Sequence, residues 1–212
     1  MSRSLNAQDR ASLIRLAFSL PVGSPERRVI LSGFLGSNIK GKHILDNANV
    51  WDKAEVTDRA KISDSATLSG NARIGDQAEV SGRAGVHDMA ELYDKAKVGG
   101  SAQIYENAKV YNEAEVKGEA RVFGYAKVFG EAQVFDYAKL EKIAQVYGSA
   151  KVFGRTHVYG KAQVFGKAQV SGNARIFGEA KIGGTAEILG GAWDGSEGEI
   201  LSGRWKAPGV PA

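Results

Sequence analysis

The most informative absence in this 212-residue chain is that of cysteine. Without a thiol the chain forms no disulfide, has no cysteine nucleophile, and offers no thiolate ligand for structural zinc or an iron–sulfur cluster. Proline numbers only 4. Histidine numbers only 3, which leaves few residues for metal or acid–base chemistry. The composition therefore predicts no bound cofactor.

Strong charge and long apolar stretches are absent as well. The formal net charge is only +4. Nucleic-acid-binding proteins usually have a larger or more concentrated positive charge, so we expect no nucleic-acid partner. No run of about eighteen apolar residues occurs, so we expect no membrane span. The first residues lack the charged-then-apolar pattern of a signal peptide, which predicts a cytoplasmic location at synthesis.

Glycine, in contrast, is abundant, with 27 residues, and it belongs to a repeat that dominates the chain. Residues 42–191 divide into 25 consecutive units of six residues, without one insertion or deletion. The first position is alanine in 23 units, the third is valine, isoleucine or leucine in all 25, and the fifth is glycine in 14 and aspartate in 8. Such a strict repeat predicts a solenoid, in which each turn stacks on the last.

Each preference within the unit has a physical cause. The first and third positions lie two residues apart, so on a strand both face the interior, where alanine fits the places at which walls converge. Glycine, aspartate and asparagine at the fifth position adopt the left-handed backbone that a corner needs. Aromatic residues at the fourth position align at a spacing of 18 and not of 12. We therefore predict an all-β fold of about eight triangular coils with 18 residues each.

This pattern resembles the hexapeptide-repeat family of left-handed parallel β-helices over the whole of residues 42–191. It is most similar to a branch of bacterial and phage proteins written as A-x-V-x-G-x. The family's acyltransferases usually place glycine, alanine or an acidic residue directly after the aliphatic one, whereas this chain most often has phenylalanine, tyrosine or serine there. The resemblance implies a left-handed coil and a homotrimer, and it makes acyl-coenzyme A-dependent acyl transfer one alternative function.

The histidines are the candidates for a catalytic base in that alternative. His43 lies at the start of the first coil, whereas His87 and His157 occupy the outward fourth and second positions of their units. The repeat contains no loop that could form the wall of an active-site cleft. For each histidine, the competing interpretation is therefore a solvated side chain without a catalytic role. The family's carbonic anhydrases hold a metal with three histidines from adjoining subunits, and this chain has no close histidine pair. We expect no bound metal.

Aspartate at the fifth position also recurs at a spacing of 18, as in Asp46 and Asp64 and in Asp58, Asp76 and Asp94. Calcium held between coils is one interpretation, because calcium takes several oxygen ligands. Hydrogen bonds from corner backbone amides to the carboxylates are the other, and we favour them.

Outward aromatic residues occupy the fourth position in 12 of the 25 units, which is a larger apolar surface than a monomer normally exposes. Three interpretations remain open: the rings stack on each other and stabilise the sheet, they form a homotrimer interface, or they stack against the sugar rings of a glycan. The candidate interaction surface consists of Tyr93, Tyr105, Tyr111, Phe123, Phe129, Tyr147, Phe153, Tyr159, Phe165 and Phe177.

The two ends lie outside the repeat. In residues 1–41, apolar residues at helical spacing predict a helix over 8–20, and Ser24 with Pro25 predicts the start of a second helix from 24 to about 33. Residues 1–41 form either a cap over the open end of the solenoid or a docking segment for a larger assembly. Residues 192–212 contain Trp193 and Trp205, for which we predict a C-terminal cap followed by a surface tail. The apolar residues of the docking segment are Leu13, Ile14, Leu16, Leu20, Val29 and Ile30.

These features favour a non-enzymatic function, that of a rigid structural or interaction rod assembled as a homotrimer. A rod with an anchor at residues 1–41 is the layout of a phage structural or accessory protein, which would be associated with the virion. Acyl transfer and glycan binding by a fibre-like protein are the alternative functions.

Overall fold

The computed structural model describes residues 44–208 and 210–211 of the chain. These residues form an all-β parallel solenoid of about nine coils, and the described part contains no helix. The predicted helices over 8–20 and 24–33 lie outside the described residues. So do His43 and the docking residues Leu13, Ile14, Leu16, Leu20, Val29 and Ile30.

Three short strands, one on each of three faces, build every coil, and we number the strands in chain order. The first face holds β1 (Asn49–Val50), β4 (Thr67–Leu68), β7 (Gly85–Val86), β10 (Gln103–Ile104), β13 (Arg121–Val122), β16 (Lys139–Leu140), β19 (His157–Val158), β22 (Arg175–Ile176) and β25 (Ala192–Trp193). The second face holds β2 (Glu55–Val56), β5 (Arg73–Ile74), β8 (Glu91–Leu92), β11 (Lys109–Val110), β14 (Lys127–Val128), β17 (Gln145–Val146), β20 (Gln163–Val164), β23 (Lys181–Ile182) and β26 (Glu199–Ile200). The third face holds β3 (Lys61–Ile62), β6 (Glu79–Val80), β9 (Lys97–Val98), β12 (Glu115–Val116), β15 (Gln133–Val134), β18 (Lys151–Val152), β21 (Gln169–Val170), β24 (Glu187–Ile188), β27 (Arg204–Ala207) and β28 (Val210–Pro211).

The register between coils confirms the predicted 18-residue turn. Lys109 pairs with Lys127 across two parallel strands of the second face, and Val110 pairs with Val128. A residue therefore lies above the residue 18 positions earlier throughout the repeat. At the usual strand spacing of about 4.8 Å, nine coils give a rod of about 40 Å.

The first and third positions of each unit form the core, as predicted. From Ala54 to Ile188 the alanine and aliphatic residues at these positions are all buried. Thr156 replaces alanine in one unit and is also buried. Its hydroxyl donates a hydrogen bond of 2.6 Å to the carbonyl oxygen of Phe153, so the extra polar group is satisfied inside the core.

The fifth position makes the corner through a left-handed backbone, also as predicted. Every residue at this position from Asp46 to Gly184 has φ between 55° and 74°. Glycine adopts this region without cost, and aspartate and asparagine tolerate it better than other residues do. At Gly82 a Cβ atom would approach the Gly100 carbonyl oxygen to 2.6 Å, so close stacking of the corners adds a second reason for glycine.

The solenoid has about nine coils where the sequence predicted about eight. The six-residue register ends at Gly191, but β25, β26 and β27 still pair in parallel with β22, β23 and β24. Arg175 pairs with Ala192 and Glu187 with Arg204, a spacing of 17 residues, which hides the last coil from a search for a strict repeat. β28 then pairs antiparallel with β27.

Two tryptophans lie at the C-terminal end of the core. Trp193 is buried and Trp205 is partly buried against the core. Their rings meet edge to face with centroids 6.4 Å apart. Each indole N–H donates to a backbone carbonyl oxygen, that of Gly190 for Trp193 and that of Ser202 for Trp205. Large side chains thus take up the space at the end of an otherwise narrow interior.

Replacing Ala132 by leucine tests the narrow interior. Ala132 is buried in the middle of the rod, and three additional carbon atoms would overpack the core. We expect a loss of about 1–3 kcal/mol in the free energy of unfolding, measured with a chemical denaturant. The exposed Gln169→Leu on β21 is the matched control, and we expect it to change the stability little. Equal effects of the two substitutions would contradict the inward assignment of the first position.

Candidate functional site

Stacked aromatic rings form a continuous column on the second face. Its five residues follow one another at a spacing of one coil: Tyr93, Tyr111, Phe129, Tyr147 and Phe165. Neighbouring ring centroids are 4.9 to 5.4 Å apart, and the ring planes differ by 1° to 16°. The separation matches the rise per coil, so the backbone spacing brings the rings into offset stacking.

Shorter stacks of the same kind lie on the other two faces. On the first face Tyr105 stacks on Phe123 at 4.7 Å, and Tyr159 stacks on Phe177 at 5.1 Å. Glu141 occupies the position between these two pairs. On the third face Phe153 stacks on Phe135 at 4.9 Å. Phe135 was not among the predicted surface residues, although its fourth position in the unit gave the same signal as the others.

Stacking determines what the aromatic columns present to a partner. Each inner ring has a neighbour over both of its faces, so the column presents mainly ring edges outward. At its C-terminal end, Phe165 lies over Gly183, where a Cβ atom would collide with the ring. Burial raises the pKa of Tyr93, Tyr105, Tyr111 and Tyr147, so the phenols stay neutral. The columns are therefore half-buried and uncharged. This agrees with the first interpretation, in which the rings stack on each other and stabilise the sheet.

Several large apolar side chains are exposed at the corners. Met89, Tyr125 and Ile143 occupy the sixth position of units on the first face and have 57%, 62% and 46% of their surface exposed. We call these three residues the apolar edge, because their strands β7, β13 and β16 belong to one sheet and the residues share one corner. These residues were not among the predicted site residues. The sequence does contain a signal for them. The sixth position is polar in most units and glycine in one, and only four units have a large apolar residue there: Met89, Tyr125, Tyr137 and Ile143.

His157 lies in a group of charged and aromatic side chains on the first face. Its Nε2 atom is 3.3 Å from the Glu141 carboxylate, yet it is buried and makes no hydrogen bond. Glu141 also pairs with Lys139 at 3.0 Å. The imidazole ring packs against Tyr159 with centroids 4.4 Å apart. His157 is thus half-buried beside a carboxylate and an aromatic ring, and it is not the solvated side chain of the competing interpretation.

The pKa values in this group follow from burial and from charge. Burial lowers the pKa of His157 below 6.5, and Glu141 opposes that shift only in part. Burial disfavours the charged form of Glu141, but the hydrogen bond and charge of Lys139, together with His157, lower its pKa overall. At neutral pH the pair therefore consists of a neutral imidazole beside a carboxylate.

His87 also differs from a solvated side chain. Its Nδ1 atom lies 2.8 Å from the Ser69 hydroxyl, and its Nε2 atom lies 3.2 Å from the amide oxygen of Gln103. Both histidines lie on the first face, but about four coils separate them, which corresponds to roughly 19 Å. They therefore belong to two separate groups of residues.

The corner aspartates accept hydrogen bonds from the backbone, as we favoured. The Asp46 carboxylate accepts from the amide of Asp64 at 3.2 Å, and Asp64 accepts in turn from Gly82 at 2.7 Å. Asp58, Asp76 and Asp94 are linked in the same way. Within residues 44–208 and 210–211, no group of three or more histidine, aspartate or glutamate residues is arranged to hold a metal ion.

Depressions in the described surface are shallow. One of about 450 Å³ lies at the C-terminal end, beside Trp193, Ile200, Leu201 and Trp205. Others of about 280 to 330 Å³ are lined largely by charged side chains, such as Arg73 and Glu91. None of these depressions includes either described histidine. In the described part of the chain no helix is long and apolar enough to cross a membrane.

No protein-family model, curated protein sequence or solved structure significantly matches this chain. The likeness to hexapeptide-repeat β-helices therefore rests on the repeat itself and on the parallel β-solenoid that it forms.

Substitution of Phe129 measures the energy of the stacked column. Phe129 has rings on both sides, at 5.0 and 4.9 Å, whereas Phe153 stacks on Phe135. Phe129→Leu removes one more stacked pair than the control Phe153→Leu does. We expect the Phe129 variant to lose roughly 0.5–1.5 kcal/mol more stability in chemical denaturation. Equal losses would show that the second ring neighbour contributes nothing.

Acidification tests the burial of His157. Because its pKa is lowered in the folded state, the unfolded chain binds the proton first as the pH falls through 6.5, and stability decreases. The lowered pKa of Glu141 acts in the same direction at lower pH. We expect the melting temperature to fall more between about pH 7 and about pH 5 in the native protein than in His157→Gln. An unchanged pH dependence in the variant would refute this assignment.

Proposed function

We propose that this protein is a non-enzymatic rod that assembles as a homotrimer and connects two partners. The observation that carries the proposal is the alignment of exposed apolar side chains along one corner. Six large apolar side chains are exposed in the described part of the chain, and three of them, Met89, Tyr125 and Ile143, lie on one corner. Exposed apolar patches of this kind mark sites of protein association.

The rod is rigid because backbone hydrogen bonds join every coil to the next. Lys109 donates to Ala126 at 3.0 Å and Glu115 donates to Ala132 at 2.9 Å, and the same pattern recurs along the chain. Residues 44–191 contain no long loop that could move relative to this scaffold. The described surface is thus shaped for contact along faces and edges and not for enclosing a substrate.

The position of the apolar edge supports a trimer. Three parallel rods can place the same edge toward a common axis, where Met89, Tyr125 and Ile143 of each copy become buried together. Cyclic symmetry closes such an assembly without leaving an apolar edge exposed. The stacked pair of Tyr105 and Phe123, at the fourth position of units on the same face, extends the contact. This role for the columns combines the first two interpretations of the aromatic surface.

The setting that we propose is a phage structural or accessory protein. Support comes from the rod itself, from the similarity of its repeat to the A-x-V-x-G-x branch, and from the separate segment 1–41, to which we assign docking in a larger assembly. Synthesis would be cytoplasmic and incorporation into the virion would follow. Glycan binding is the less favoured role for the columns, because the inner rings cover each other's faces and sugars stack on exposed faces. For acyl transfer, a raised melting temperature in the presence of acyl-coenzyme A would be the sign.

Charge on the apolar edge tests the assembly. A lysine in place of Tyr125 would place three ammonium groups near the common axis, so we expect the trimer to dissociate into monomers. The measurement is the mass in solution by light scattering on the full chain. Asn173→Lys is the matched control, because Asn173 is exposed at the sixth position of a unit on the third face.

The outcomes separate the assembly from the fold. A trimer lost in Tyr125→Lys and kept in Asn173→Lys, with the β-structure of both variants unchanged by circular dichroism, supports the apolar edge as the interface. A native chain that is monomeric across the concentration range contradicts the homotrimer. A trimer that survives Tyr125→Lys contradicts this interface.

A further inference from the structure

Gly85 is the one glycine at the second position of the 25 units. This position is otherwise polar or charged, and it lies in a strand, where glycine costs conformational entropy and contributes no packing. A Cβ atom at Gly85 would collide with Nε2 of His87 and with the amide oxygen of Gln103. The missing side chain therefore makes room for a contact between His87 and Gln103.

That contact extends a chain of hydrogen bonds across three coils of the first face. The Ser69 hydroxyl is 2.8 Å from His87 Nδ1, and His87 Nε2 is 3.2 Å from Gln103 Oε1. The Gln103 amide nitrogen donates to the carbonyl oxygen of Ser101 at 3.3 Å. Both hydrogen bonds of His87 are partly buried. We call Ser69, His87 and Gln103 the serine relay.

The orientation of the Gln103 amide determines which ring nitrogen of His87 carries the proton. Since its amide nitrogen is used by Ser101, the amide oxygen faces His87 and accepts the proton on Nε2. The other ring nitrogen, Nδ1, is then an acceptor, and the Ser69 hydroxyl donates to it. A serine hydroxyl that donates to an oriented imidazole is the arrangement of an activated nucleophile.

We propose that Ser69 is a nucleophilic hydroxyl, activated by His87 and positioned through Gln103 and Gly85, that accepts an acyl group from an activated acyl ester or thioester. Ser69 Oγ forms a bond to the acyl carbon while its proton passes to His87 Nδ1. The bond from the acyl carbon to the leaving group breaks, and His87 transfers the proton to the leaving group. The products are a Ser69 ester and the free alcohol or thiol, without any oxidation or reduction.

The surroundings favour one acylation per chain over repeated turnover. The backbone N–H groups of Ser69 and Gly70 already donate, to the Val86 carbonyl oxygen at 3.0 Å and to the Asp52 carboxylate at 3.1 Å. These groups therefore do not stabilise a tetrahedral oxyanion, a contribution that is typically worth a factor of about 10²–10³ in rate. The donor must bring its own activation, and the ester formed is hydrolysed slowly. The serine relay is thus a site of covalent modification on the rod.

The test uses the full chain with p-nitrophenyl acetate as the acyl donor, and a fluorophosphonate in a parallel reaction. Intact mass counts the groups added, and peptide mapping locates them. We expect one group per chain, at Ser69, added at least about tenfold faster than at Ser63 or Ser81. These two serines hold the same fourth position on the third face, and neither has a histidine one coil later.

Variants separate activation by His87 from simple exposure of the hydroxyl. In His87→Gln we expect labelling of Ser69 to fall to the rate of Ser63 and Ser81. Gly85→Ala should have a similar effect by pushing His87 and Gln103 apart. In the control Gly99→Ala the new Cβ atom meets the Ser81 hydroxyl at 3.3 Å, away from the relay, so labelling should persist.

Two results would overturn the proposal: labelling of Ser69 no faster than that of Ser81, and labelling of Ser69 in His87→Gln at the native rate. Both can be obtained even where Gly85→Ala does not fold, because His87 points outward and its replacement leaves the core intact. The trimer interface is tested by mass, so failure of one proposal leaves the other standing.

Discussion

Hydrogen bonds from one coil to the next are the interaction on which everything else in this rod depends. Through most of the repeat, the amide of a residue at an even position of the unit donates to a carbonyl oxygen 17 residues later, as Glu115 does to Ala132. No coil can satisfy these groups or bury its six inward residues alone, so the coils are stable only as a stack. The ladder also sets a fixed rise, and every side-chain arrangement described above uses that rise.

Because the rise lies within the range of centroid separations at which aromatic rings stack with an offset, aromatic residues at the same position of successive coils form columns. Phe129 meets its neighbours at about the distance at which rings attract each other. The same rise places each corner carboxylate against the amide of the corner above, as at Asp64 and Gly82. It also places residues of the fourth position against those of the second position in the next coil, as at His87 and Gln103. The aromatic stacks, the hydrogen bonds of the corner carboxylates and the serine relay therefore all depend on the same rise per coil.

Much of this could be read from the sequence, since a six-residue period with alanine and aliphatic residues specifies both the inward positions and the corners. The spacing of Tyr93, Tyr111 and Phe129 predicted the turn length, and the structure confirms it. The last coil was missed because its spacing slips to 17 between Arg175 and Ala192. The hand of the coil remains a prediction from the family resemblance.

The candidate site was harder to predict than the fold. The aromatic columns followed from the spacing of 18, but how far their rings cover each other depends on side-chain angles. The apolar edge had a signal in the sequence, apolar residues at the sixth position, but only the structure shows how far these side chains are exposed. The serine relay joins residues 16 and 18 positions apart, and only the register of the coils shows that Ser69, His87 and Gln103 meet. Gly85 was the visible sign, as the one glycine in its column.

The uniform ladder makes the length of the rod adjustable. Three further units inserted between two coils would add about 4.8 Å and would leave the contacts of every other coil as they were. Such a scaffold can serve as a ruler: the distance between whatever is held at its two ends changes in equal steps with the number of repeats. A change in that number would re-space the partners without altering either binding surface.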